Sequence, residues 1–153
     1  MAHFREGYNC SQSLVLTFAD LLPLEESVLL KLSSSFGGGM GRLREVCGSV
    51  SGMFLVCGLL YGYDGPETGP VKAEHYARIQ ELARRFEEKH GSIVCRELLK
   101  NVPVTPGDTP EPRTPEFYAR RPCLRLAGEA AGILDDMLAE TRMDESGQHC
   151  ETT

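Results

Sequence analysis

The stretch EVCGSVSGMFLVCG, Glu45 to Gly58, sets two cysteines, three glycines and two serines into an otherwise apolar run that continues to Tyr61. It has no strict alternation of apolar and polar residues, and it is apolar on most sides when wound as a helix. Such a helix belongs inside a protein. Residues 45–61 are therefore expected to form a buried central helix, closed by the turn-forming YGYDGP of residues 61–66.

Outward from that helix the alphabet stays helical. A first helix is expected from about Asn9 to Leu21, with Leu14, Phe18 and Leu21 at i, i+4 and i+7, stopping before Pro23. A second runs from about Leu24 to Phe36, where Glu25 and Glu26 suit the positive end of its dipole. FGGGMG, residues 36–41, breaks it, because three consecutive glycines cost too much backbone entropy inside a helix. A fourth helix, about Pro70 to His90, places Ile79, Leu82 and Phe86 on one face and most of its charges on the others. Gly91 ends it, and Ser92 is placed to cap a short fifth helix through Leu99. The proline-rich Asn101–Pro115 segment reads as an irregular surface connection. A last helix runs from about Glu116 or Pro122 to Met143. The expectation is all-α: a single compact four-cysteine domain of about five to six helices over residues 1–143, with a disordered tail at 144–153.

With 153 residues, a net charge of −6, a pI near 5.2 and no Lys/Arg block, the chain lacks a nucleic-acid footprint and is not attracted to anionic lipid. Its longest apolar run, Met53 to Tyr61, is too short to span a membrane. The expectation is a soluble, cytoplasmic protein with no nucleic-acid partner and no membrane insertion. In a reducing compartment, its six cysteines are more often metal-binding, catalytic or buried than paired in a disulfide framework.

Four of those cysteines fall near expected helix starts: Cys10 after Asn9, Cys47 at the central helix, Cys95 just beyond Ser92, and Cys123 after Pro122. A helix N-terminus carries unpaired N–H groups and about half a positive charge, which favours thiolate over thiol. Arg42 and Arg44 before Cys47, and Arg121 before Cys123, act in the same direction. No CxxC pair occurs, so no zinc-ribbon or ferredoxin spacing is present, and only the tertiary fold can bring these thiols together. Free cysteine is also a common core residue, so packing and chemistry both remain open for these four. Cys57 lies on a face about 80° from Cys47, and simple core filling is its first reading. Cys150 sits in the polar tail beside His149.

Gly37, Gly38, Gly39 and Gly41 invite a phosphate-cradle reading, but they join two helices and no GK[ST] follows, which excludes a P-loop. The alternative is close backbone approach, with the glycine turn running against Cys47 and offering N–H donors to a thiolate, a cluster sulfide or a small anion. Gly48 and Gly52, with Ser49 and Ser51 between them, give the central helix a small-residue face for a neighbouring helix or a cofactor. Gly38, Gly39, Gly41 and Gly48 are thus the candidate cofactor-binding glycines. His75 and His90 read as solvated or capping residues.

The segments EGYNCSQSLVLTFA, SSSFGGGMGRLREVCGSVSGMFLVCGLLYG and CRELL, followed by a late lone cysteine, resemble the redox-active proteins named for their C_GCAxxG_C_C pattern. The resemblance runs from about Glu6 to about Ala139. It puts Cys10, Cys47, Cys95 and Cys123 at the four family cysteine positions, leaves Cys57 and Cys150 without one, and replaces the family alanine after Cys-Gly by Ser49. It implies a small helical protein engaged in redox work or carrying an iron–sulfur cluster or other transition metal, with an oxidoreductase or electron-transfer protein as partner.

Three functions follow. Cys10, Cys47, Cys95 and Cys123 converge as metal ligands for electron transfer, since four thiolates match the ligand count of such centres. Or they work without metal as a thiol–disulfide oxidoreductase with Cys47 as attacking thiol. Or the chain is a helical partner-binding module with core cysteines. A homodimer contributing two cysteines per chain would also complete a four-thiol site.

Overall fold

The computed structural model describes residues 1–66 and 69–148, with side chains as far as Met143. Its helices are α1 (Ala2–Arg5), α2 (Cys10–Thr17), α3 (Glu26–Ser34), α4 (Gly48–Tyr61), α5 (Pro70–His90), α6 (Cys95–Leu98), α7 (Pro115–Arg120) and α8 (Cys123–Gln148), with a 3₁₀ turn at Ala19–Leu21. The segment Gly37–Met40 has the hydrogen bonds of one helical turn. However, Gly38 and Gly39 sit at φ 64° and 71°, so it is a sharp glycine turn. Among the described residues there is no named strand, only an isolated antiparallel bridge between Val46 and Val94. The fold is all-α.

Helix α4 is the centre of the core, as its composition requires. Val50, Met53, Val56 and Cys57 have no exposed surface, and α2, α5 and α8 pack around them. The crossing of α2 and α4 is close because Gly52 has no side chain: a Cβ there would lie 2.9 Å from Leu14 Cβ. On α5, Leu82 and Phe86 are fully buried. The wet face of α5 carries Arg84 paired with Glu81 and Glu88, and Arg85 reaches Glu140 on α8.

Several boundaries differ from the sequence expectation. The central helix begins at Gly48, three residues after Glu45, because Glu45 and Val46 are drawn into the bridge with the segment before Cys95. The first helix stops at Thr17, so Leu21 falls off its apolar face and is 48% exposed, while Leu22 is buried instead. The second helix is shorter at both ends. Val94, not Ser92, precedes the short α6, and Ser92 Oγ accepts from the Val94 N–H at 2.9 Å. The last helix is two, since Arg121 is extended (φ −99°, ψ 134°) as a residue before proline tends to be. Helix α8 continues past Met143 to Gln148, so the first part of the expected tail is helical; residues 149–153, with Cys150, lie outside the described residues. Among the described residues no helix is long and apolar enough to cross a membrane.

Asn9 ties three elements together. Its Oδ1 accepts from the Ser11 and Gln12 N–H groups at 3.0 and 2.9 Å, while Gln12 Oε1 accepts from the Asn9 N–H at 3.2 Å, completing a capping box. Asn9 Nδ2 donates to the Ser34 carbonyl at 3.0 Å, fixing the end of α3. Gly37 lies against the same side chain, where a Cβ would stand 2.5 Å from Asn9 Cγ. Asn9→Ala is expected to lower stability by about 1–2 kcal/mol. Asn9→Asp, which keeps the cap acceptor and loses the donor to Ser34, should lie between the two in a thermal melt.

Candidate functional site: a four-cysteine cavity

Each cysteine at a family-type position occupies the start of a helix. Cys10 is the first residue of α2, Cys47 the residue before α4, Cys95 the first of α6 and Cys123 the first of α8. All four line one cavity of about 280 Å³. One chain supplies the whole set. Cys47 and Cys95 are buried, whereas Cys10 and Cys123 are partly open.

The inner pair is held by backbone. The Cys47 N–H donates to the Ile93 carbonyl at 2.8 Å and the Cys95 N–H to the Glu45 carbonyl at 2.6 Å, on either side of the Val46–Val94 bridge. Glycines admit the approach. A Cβ on Gly39 would lie 2.7 Å from Cys95 Cβ, and one on Gly48 would lie 3.0 Å from Cys10 Cβ and 2.9 Å from the Phe36 carbonyl. Gly38, Gly39, Gly41 and Gly48 all line the cavity, and for Gly39 and Gly48 the geometry is that of close approach.

The arginines divide differently from the sequence expectation. Arg42 turns away from Cys47 and donates to the Gly107 and Thr105 carbonyls at 2.8 and 2.9 Å, pinning the proline-rich segment over the cavity. Arg44 stands beside Cys95 and favours its thiolate. Arg121, 8% exposed, is paired with Glu111 and stands close enough to Cys123 to favour its thiolate. Arg113 stacks on the Phe4 and Phe117 rings, 4.4 and 4.9 Å from their centroids. Sequence reasoning passed over Glu111 and Arg113. Only their charge within a proline-rich connection marks them, and nothing local says that they face inward.

Thiol acidity follows from competition between these donors and burial. The hydrogen bond from Cys10, acting against burial and joined by Arg121, lowers the Cys123 thiol from 9.0 to about 7. The same bond, with burial, raises Cys10 well above the usual range. At Cys47 burial outweighs hydrogen bonds from the Ser49 and Val50 N–H groups and lifts the thiol to about 11. Cys95 is also raised by burial, over the opposing bond from Arg44. Cys47 thus receives the helix-start donors expected of it, yet burial leaves its thiol less acidic than that of Cys123.

Cys57 is fully buried on α4 and raised by burial, among the core side chains. His90 is not solvated: its ring lies tilted against Phe86, centroids 4.4 Å apart, with Nε2 2.9 Å from Glu129. The four thiols suit a soft metal in kind. Among the described residues no three His, Cys, Asp or Glu side chains are gathered closely enough to hold a metal ion in the arrangement seen.

Against known proteins, the family described as "Putative redox-active protein (C_GCAxxG_C_C)" matches residues 8–137. This covers most of the chain, which therefore belongs to that family. No curated protein and no solved structure matches it.

Because the thiolate is the reactive form, a lowered thiol is modified at lower pH. In a Cys150→Ser background, iodoacetamide labelling read by peptide mass spectrometry is expected to fall first on Cys123, with a midpoint of about 7. Cys47 should be refractory until about 11. Labelling of Cys47 ahead of Cys123 would overturn this order.

Proposed function

We propose that this member of the C_GCAxxG_C_C family is a thiol–disulfide redox protein whose working pair is Cys10 and Cys123. The observation that carries the reading is that these two cysteines line one cavity, both partly open, and stand close enough for each to shift the acidity of the other. Family membership supports redox work, and the lowered pKa of the Cys123 thiol supports its role as the attacking group.

In this reading the Cys123 thiolate attacks one sulfur of a disulfide RSSR, a Cys123–S–S–R bond forms, and RS⁻ leaves to be protonated. The Cys10 sulfur, its proton released, attacks Cys123 and expels the second RS⁻. Two electrons pass from the protein dithiol to RSSR, yielding two RSH and a Cys10–Cys123 disulfide. Arg121 stabilises the Cys123 thiolate before each turnover, and the Cys10 S–H orients it. An oxidoreductase or electron-transfer partner must return the two electrons, and a cytoplasmic location would keep the pair reduced between turnovers.

A second reading, an iron–sulfur or other metal centre on Cys10, Cys47, Cys95 and Cys123, is favoured by their sharing one cavity. It requires the four thiols to draw together from the arrangement described. The assay is iron, zinc and acid-labile sulfide on anaerobically purified protein, with its visible spectrum. Stoichiometric metal lost in Cys47→Ser would favour the centre, whereas a colourless, metal-free protein favours the dithiol.

For the dithiol, Cys10→Ala should raise the Cys123 midpoint from about 7 towards the ordinary thiol range, because it removes the donor to the thiolate. Cys10→Ser keeps an O–H donor and should raise it less. Both should abolish a reversible intramolecular disulfide that Cys47→Ala retains. The reverse pattern would sink the assignment.

A further inference from the structure

The cysteine cavity holds more positive charge than dithiol chemistry uses. Arg42, Arg44, Arg113 and Arg121 line it against only two carboxylates, Asp108 and Glu111, in a chain of net charge −6. Arg42 and Arg113 are occupied with backbone carbonyls: those of Thr105 and Gly107 for Arg42, those of Phe4 and Tyr8 for Arg113. Arg44 and Arg121 are not used up. Arg44 Nη2 and Arg121 Nε are buried without an oxygen or nitrogen partner, and so is the hydroxyl of fully buried Ser49.

All three atoms can donate, and all three residues line the same cavity. A buried donor with no acceptor is costly, and a buried guanidinium more so than a neutral group. A bound ligand that brings an acceptor removes the cost. The fold already displays the kind of acceptor the cavity accommodates: the Glu111 carboxylate, 5% exposed, is seated on Arg121 and accepts from the Thr105 N–H at 3.2 Å. Beside these donors, Phe4, Phe117 and Leu126 supply an apolar wall. At about 280 Å³ the space lies at the small end of ligand sites, of order 300 Å³ and upward. It is the size of a small molecule, not of a protein loop.

We infer that the substrate is a small disulfide carrying a carboxylate or sulfonate close to its S–S bond, the anionic group resting on Arg44, Arg121 and Ser49 while a sulfur meets Cys123. This rests on the dithiol reading and deepens it. The methylene between anion and sulfur lies on the aromatic wall. The reaction is that of the preceding section, with RSH an anionic thiol, and the Cys10–Cys123 disulfide takes up the oxidation.

Three reagents with one S–S core separate the outcomes: dithiodiglycolate, bis(2-hydroxyethyl) disulfide and cystamine, which are anionic, neutral and cationic. Oxidation of the Cys10–Cys123 pair is followed for each. Each rate is divided by that of the same reagent with 2-mercaptoethanol, to remove intrinsic differences. Dithiodiglycolate is expected to exceed the neutral reagent by about tenfold or more, and cystamine to fall below it. Arg44→Gln should narrow the anionic-to-neutral ratio. Should that variant not fold, the wild-type ratio in raised potassium chloride serves instead, since screening should shrink it. Equal normalised rates for all three reagents, or a ratio indifferent to both Arg44→Gln and salt, would overturn the anion preference and leave the dithiol intact. If no reagent oxidises the pair, the dithiol reading itself falls and the preference with it.

Discussion

Everything at the site depends on backbones approaching closer than a side chain would allow. Gly39 meets Cys95, Gly48 meets Cys10 and the Phe36 carbonyl, and Gly52 meets Leu14, each at a distance where a Cβ would collide. Remove that closeness and the starts of α2, α4 and α6 separate, and with them the thiols they carry. The Val46–Val94 bridge does the rest by fixing Cys47 and Cys95 to each other through main-chain bonds on both sides. The glycine turn is also where the backbone adopts left-handed conformations, at Gly38, Gly39 and Gly41 at little cost and at Met40, Arg42 and Arg44 at some.

Gathering four helix starts into one cavity sets two electrostatic effects against each other. Unpaired N–H groups and nearby guanidinium groups favour thiolate, while the low-dielectric interior that the gathering creates disfavours it. At Cys47 the interior wins despite donors from Ser49 and Val50. At Cys123 the balance reverses, because the neighbouring Cys10 thiol and Arg121 both favour its charged form. Four similar residues are thereby differentiated into a buried pair and a partly open pair, with Cys123 the most acidic. The proline-rich segment contributes to this from outside the helices. Held by Arg42, it carries Glu111 onto Arg121 and Arg113 onto the aromatic wall, so a connection without regular structure completes the cavity.

Much of this was legible in the residues. The apolar run after Cys47 implied a buried helix, and α4 is the centre of the core. Leu82 and Phe86 fell on the inner face of α5, where the 3.6-residue period put them. The placing of Cys10, Cys47, Cys95 and Cys123 at helix starts was readable too, because Asn9, the glycine turn and Pro122 are local signals that stop or start a helix. The division of labour among the cysteines was not. Arg42 and Arg44 both precede Cys47, yet one bonds to a distant loop and the other stands beside Cys95, since side-chain direction at these residues is set by left-handed backbone at Arg42 and Arg44 themselves.

The sequence by itself determined the helical class, the central helix, the positions of the four cysteines on their elements and the glycines that flank them. These are local properties: periodicity, capping and backbone freedom act over a few residues and can be read from them. Only the tertiary structure decided which thiol is acidic, which arginine serves which sulfur, and that Glu111 and Arg113 belong to the cavity. Acidity is the difference between a desolvation cost and the bonds that offset it, and both depend on what residues tens of positions apart in the chain bring to the same few ångströms of space.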